Sequence, residues 1–124
     1  MGGLTPFKVQ YKKKGANATM KIKKGVSLIG LRLVMRPVLV EADRIWEELG
    51  QELVITSGTD SEHSAGSLHY YGYAVDLRTR YFTQEEKFTA YCELVDALEY
   101  EGFNVFMHDT HIHVEFDAIL NGEV

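Results

Sequence analysis

The stretch His111-Ile112-His113-Val114-Glu115-Phe116 alternates polar and apolar side chains without a break. Successive side chains on a β-strand point to opposite faces, so His111, His113 and Glu115 share one face. Asp109 joins them if the strand extends that far. A chain with this pattern builds a sheet with a histidine-bearing polar face, and its other elements must be arranged around that face.

Phe103 to Met107 reads as the neighbouring strand, reached through a short turn around Asp109-Thr110. Tyr73 to Thr79 reads as another, on which Asp76 and Arg78 share a face. Leu53-Val54-Ile55-Thr56 is a short central strand, and 57–66 is a polar loop rich in Ser, Gly and Asp. Between Pro37 and Leu49 the period becomes helical. Val38, Ala42, Ile45, Trp46 and Leu49 fall on one face, with most of the charges opposite. Pro37 fits the first turn of that helix and Gly50 ends it. Thr83 followed by Glu86 is a capping-box signature. It opens a second helix to about Tyr100, with Phe88, Tyr91, Leu94, Val95 and Leu98 as the expected apolar face, and Gly102 stops it. Near the N-terminus, Phe7, Val9 and Tyr11, then Met20 and Ile22, alternate with polar residues around Gly15-Ala16-Asn17-Ala18, the pattern of a lysine-rich β-hairpin. The expected fold is α+β: a small, largely antiparallel sheet with two main helices packed on it, plus that hairpin.

A length of 124 residues suits one domain with one core, spanning 1–124, with 1–30 as a basic arm. No apolar run is long enough to span a bilayer, and the N-terminus lacks the profile of a secretory signal. Synthesis in the cytoplasm with release to a cell wall is compatible with that. Met1-Gly2-Gly3 is not a myristoylation site, because Pro6 stands where Ser or Thr is required. The lone Cys92 cannot form an internal disulfide and reads as a small core residue. The net charge of −5 hides an asymmetry. Residues 1–40 hold nine of the 13 basic residues and no acid, so all 18 acids follow. The arm can meet a polyanion, or simply be a solvated hairpin that complements the acidic body. Nucleic acid is not expected as a partner, because no aromatic stacking platform beyond Tyr11 lies between the lysines.

The chemistry concentrates in Ser67-Leu68-His69-Tyr70-Tyr71-Gly72-Tyr73-Ala74-Val75-Asp76 and in His111-Ile112-His113. One imidazole, a carboxylate seven residues on, and a second imidazole from another strand form a three-ligand set. Such a set leaves one position of a zinc ion open, the mark of a catalytic rather than a closed structural site. His69 precedes the strand of Asp76 in a loop held by Gly72, and such a loop can fold back to bring the two together.

These two segments resemble the hedgehog N-terminal signalling domain and the zinc D-Ala-D-Ala carboxypeptidases and peptidoglycan endopeptidases of peptidase family M15. The resemblance covers roughly residues 35–117 and includes Ile55-Thr56-Ser57-Gly58 ahead of the first ligand. It implies that Zn2+ is held by His69, Asp76 and His113. His63 matches a hedgehog histidine six residues before the first ligand, and His111 the first histidine of the HxH pair. Two departures stand out. The peptidases usually carry an acid three residues before the last histidine, where this chain has Thr110, and hedgehog domains a glutamate six before it, where this chain has Met107. Asp109 is the nearest substitute for a general base, and Glu115 the other; Glu115 can equally be a partner to a ligand. The arginine that grips the substrate carboxylate in the peptidases is also missing after Ser57-Gly58, and Arg78 or Arg80 can serve instead. Tyr70, Tyr71 and Tyr73 can line a cleft. Asp60 and Glu62 alone would make a poor calcium cage.

The resemblance implies a zinc metallopeptidase cutting peptidoglycan stem peptides. Zinc-activated water attacks a peptide carbonyl, Asp109 carries the proton, and His111 and His63 stabilise charge. Arg78 and Tyr71 are the expected substrate contacts. The alternative is a non-catalytic, hedgehog-like, zinc-containing binding module.

Overall fold

The computed structural model of the protein describes residues 20–60, 67–69 and 71–117. Among them the chain is α+β, with one five-stranded mixed sheet and two helices. In chain order these are β1 (Lys21–Ile22), α1 (Arg36–Glu48), β2 (Val54–Ser57), β3 (Ala74–Arg78), α2 (Gln84–Leu98), β4 (Phe103–Met107) and β5 (His111–Phe116). The strand order is β1-β2-β3-β5-β4. The β2–β3, β3–β5 and β5–β4 pairings are antiparallel; β1 runs parallel to β2. β2 is interior but β3 lies at the centre. The first arm of the expected N-terminal hairpin, with its turn, falls outside the described residues. Its second arm contributes β1, which pairs with β2 in the main sheet.

Helix α1 forms where its period predicts. A 3-10 turn over Leu33–Met35 leads into it, and Pro37 sits in its first turn, where no N–H is required. Val38, Ala42, Ile45 and Trp46 are fully buried. Gly50 follows with φ 84°, a left-handed conformation that a side chain disfavours. Helix α2 opens on the complete capping box: Thr83 accepts from the Glu86 N–H, and Glu86 accepts from the Thr83 N–H. Its buried face differs from the expected one. Lys87, Ala90, Leu94 and Leu98 are buried, whereas Phe88 is 57 % exposed and Tyr91 and Val95 are half-buried. The reason is tertiary. Lys87 lays its stem along the core and its Nζ donates to the carbonyls of His108 and Asp109 at 3.3 and 3.2 Å. Lys87 thereby ties the start of α2 to the β4–β5 turn while its stem covers apolar surface.

One face of the sheet supplies Ile55, Val75, Leu77, Ile112 and Val114 to a core completed by both helices. Trp46 packs there and donates its Nε1–H to the carbonyl of Arg78 at 2.9 Å, tying α1 to the end of β3. The alternate positions of β3 and β5 carry Asp76, Arg78, His111, His113 and Glu115. They stand in register as Asp76↔His113, Arg78↔His111 and Ala74↔Glu115. Strand parity therefore gathers the polar chemistry on the face opposite the core. Among the described residues no helix is long and apolar enough to cross a membrane.

Candidate metal centre

The register of β3 against β5 places Asp76 directly opposite His113. The Asp76 Oδ1 lies 2.9 Å from His113 Nδ1. The loop ahead of β3 turns back at Gly72, whose φ of 83° admits the reversal without a side chain. This brings His69 over the strand, with Nε2 3.2 Å from His113 Nδ1 and 3.4 Å from Asp76 Oδ1. Ligand atoms of His69, Asp76 and His113 thus converge, and the group can hold a metal ion. Three atoms bound to zinc at its usual lengths and at tetrahedral angles stand about 3.3 Å apart. The observed spacings of 2.9, 3.2 and 3.4 Å bracket that value.

The outer contacts decide which nitrogens face inward. His69 Nδ1 lies 3.0 Å from the carbonyl oxygen of Gly58, which can only accept, so Nδ1 carries a proton and Nε2 faces the site. His113 Nε2 lies 2.8 Å from Glu115 Oε1, so that nitrogen donates and Nδ1 faces the site. Two imidazole nitrogens and a carboxylate oxygen then point at one place. A proton on His113 Nδ1 relieves one of these contacts; a metal ion relieves all three. An imidazole ligand whose second nitrogen donates to a carbonyl or carboxylate is the common support of metal sites.

Electrostatics follow this geometry. Burial pushes the Asp76 carboxyl up, but hydrogen bonds from His113 and His69 and the neighbouring imidazoles outweigh it and hold the group far below the carboxylate range. Burial alone would lower His113, yet its bonds to Asp76 and Glu115 prevail and its pKa is raised. His111 moves the other way. Burial lowers it, and repulsion from His108, His113 and His69 adds to that against the pull of Asp76.

No family model matches this chain, and no curated protein does. The site therefore rests on its own geometry.

The remaining expected residues are placed as follows. His111 sits at the rim, its Nε2 3.8 Å from Asp76 Oδ2 and its Nδ1 3.3 Å from Thr110 Oγ1, with His108 stacked on its ring at 4.8 Å. Asp109 is exposed in the β4–β5 turn, beyond the last strand pair Met107↔Ile112, so the strand does not extend to it. Of Asp109 and Glu115, the two acids expected as a base, only Glu115 touches a histidine of the converging group. Arg78 lines a cleft of about 260 Å³ beside Asp76 and His111. Tyr71 is 56 % exposed and lies outside that cleft, its carbonyl accepting from Arg32 Nε at 3.1 Å. Tyr73 is buried against Phe116, under the Arg32 guanidinium. Cys92 is half-buried. His63, Glu62 and Tyr70 lie outside the described residues.

Sequence reasoning missed the Gly58 carbonyl and the contact that holds it. Asp60 Oδ1 accepts from the Gly58 N–H at 2.7 Å, fixing the loop. Residues 27–29 lie so close that a Cβ on Gly58 would collide with the Ser27 carbonyl and Leu28. No local signal announces this contact, because an Asx turn reaches forward along the chain and Asp60 reaches back.

Proposed function

We propose that the protein is a zinc metallopeptidase of the hedgehog and M15 type, acting on peptidoglycan stem peptides. The observation that carries this reading is the convergence of His69 Nε2, Asp76 Oδ1 and His113 Nδ1 within 3.4 Å, each imidazole oriented by an acceptor behind it. The donor set of two imidazoles and one carboxylate suits zinc and leaves a coordination position for substrate or water. Bound there, zinc would supply a nucleophilic water at neutral pH and polarise a carbonyl.

The chain's own residues have separable parts in this chemistry. His69, Asp76 and His113 hold the ion. The Gly58 carbonyl and Glu115 fix the two rings, and Glu115, committed to His113, is a positioning residue. His111 is the rim group poised to move a proton. Burial lowers its pKa, and Nε2 faces the Asp76 side of the site. Asp109 stands further out, at the turn. Arg78 is placed to meet a substrate carboxylate. The M15 acid position is Thr110, whose hydroxyl contacts His111 Nδ1.

That same substitution favours a second reading, a non-catalytic zinc-containing binding module. One experiment separates the two. The protein is incubated, zinc-loaded or chelated, with purified peptidoglycan and defined stem peptides, and products are read by mass spectrometry. Cleavage that disappears on chelation, in His113→Ala and largely in His111→Ala supports the peptidase. Stoichiometric zinc with no cleavage of any stem peptide rejects it in favour of the binding module.

A further inference from the structure

The cleft beside the metal-ligating group has an unusual lining. Lys23, Arg78 and Arg80 enter it together with the hydroxyl residues Thr56 and Thr110. It touches the site through Asp76 and His111. These residues come from four stretches of the chain. Lys23 follows β1, and its backbone N–H donates to the Ile55 carbonyl at 2.9 Å, which fixes it beside β2. Arg78 ends β3 and Arg80 follows it. Thr110 is held to this end of β3 because its carbonyl accepts from the Thr79 N–H at 3.0 Å.

Three cations thus face one carboxylate, and that carboxylate is already engaged by His69 and His113. The other four basic side chains with recorded contacts find partners elsewhere: Lys21 at Glu52, Arg44 at Glu41 and Glu48, Lys87 at two carbonyls, and Arg32 at a carbonyl and an aromatic ring. Among the described residues no ion pair joins Lys23, Arg78 or Arg80 to an acid. In a chain whose net charge is −5, such a cluster in a concave site sets up a local positive potential that favours an anion. Guanidinium groups match carboxylates through paired N–H donors, and threonine hydroxyls complete the acceptor's remaining sites. The volume of about 260 Å³ suits a fragment of a ligand rather than the whole.

We infer that the Lys23–Arg78–Arg80 cleft is a specificity subsite for a peptide carrying two neighbouring carboxylates, such as a terminal carboxylate beside an acidic side chain. Asp76 is committed to His69 and His113, so three cationic donor groups face the cleft, more than one carboxylate engages and enough for two. The inference rests on the peptidase reading for the statement that the ligand is a peptide. It goes beyond it in requiring two carboxylates and in recruiting Lys23, a residue of the basic N-terminal region. Lys23 is exposed and Arg80 is exposed, so their replacement leaves the core and the metal-ligating group intact.

The test uses the full chain, zinc-loaded and zinc-free, with three N-acetylated peptides. Ala-Ala-Glu carries two carboxylates, Ala-Ala-Glu amide one, and Ala-Ala-Gln amide none. Calorimetric titration at low salt is expected to show affinity falling about tenfold with each carboxylate removed. Lys23→Ala and Arg80→Ala are each expected to lose about tenfold for Ala-Ala-Glu, with zinc affinity unchanged. Equal affinity for the three peptides, or variants that bind like the parent, overturns the inference. Inorganic phosphate that displaces Ala-Ala-Glu at lower concentration than it binds overturns the carboxylate assignment. A chain that binds zinc without discriminating the peptides loses this subsite alone. One that discriminates them without binding zinc keeps the subsite and loses the peptidase.

Discussion

Glu115 and Gly58 support, from behind, the group that can hold a metal ion. Each accepts the proton of an imidazole nitrogen that does not face the site, at 2.8 and 3.0 Å. Partners of this kind typically change metal affinity by 10–100-fold. Glu115→Gln keeps the shape and loses the charge, so zinc affinity should fall by roughly 10-fold or more in competition with a chelator of known affinity. A variant that binds zinc like the parent would show that Glu115 is only a neighbour. His113 makes a second prediction. Its folded pKa is raised. In the metal-free protein, protonated His113 therefore contributes stability that is complete below about pH 6.5 and lost as pH rises through the raised value. Metal binding needs Nδ1 without its proton, so zinc affinity should climb across that same window and level off above it. Asp76 stays ionised throughout, because its pKa is depressed. Zinc affinity that is flat with pH from about 6 to 8 would exclude His113 as a ligand.

At the level of elements, two contacts can be separated by their reach. The Thr83 capping box closes the start of α2, whose far side faces the β4–β5 turn through Lys87. Thr83→Ala should cost about 1 kcal/mol in urea unfolding and leave zinc affinity untouched. Gly58→Ala acts differently. Thr59 binds the Ser27 carbonyl through its N–H at 2.7 Å, clamping residues 27–29 onto the end of β2. A methyl group at 58 has no room there. The expected loss is about 1–3 kcal/mol from forced repacking, and zinc affinity should fall with it because the Gly58 carbonyl moves. Loss of stability with unchanged zinc affinity would detach the Gly58 carbonyl from the site. Helix α2 also shows how pattern and packing part. Its apolar periodicity pointed Phe88 inward, yet Phe88 is exposed and Lys87 buried. Periodicity sees side-chain polarity; it does not see two free carbonyls in a turn 21 and 22 residues away.

For the molecule as a whole, the metal-ligating group joins the loop at 67–69, β3 and β5, three pieces brought together only by folding. A metal held there stabilises the folded chain by mass action, about 2.7 kcal/mol at a concentration 100 times its dissociation constant. Thermal unfolding should therefore shift upward with zinc and return on chelation. His113→Ala should remove the shift. A midpoint independent of zinc in the parent protein would contradict the metal centre.

Local chemistry decided much of this protein before any contact formed. The alternation from 111 to 116 put His111, His113 and Glu115 on one face, and helical spacing chose the buried side of α1. Gly50 ended α1, and Gly102 ended the 3-10 turn Glu99–Glu101 that follows α2, because their left-handed conformations are open to glycine. These are properties of neighbours in sequence, set by sterics and side-chain direction. Long-range pairing decided the rest. The register Asp76↔His113 chose the inward nitrogen of His113, and the loop reversal at Gly72 brought His69 to it. The Gly58 carbonyl, the buried Lys87 and the entry of Lys23 into the cleft likewise join residues far apart in the chain. No period in the sequence encodes them, because each depends on which hydrogen-bonding groups remain unsatisfied once the sheet has formed.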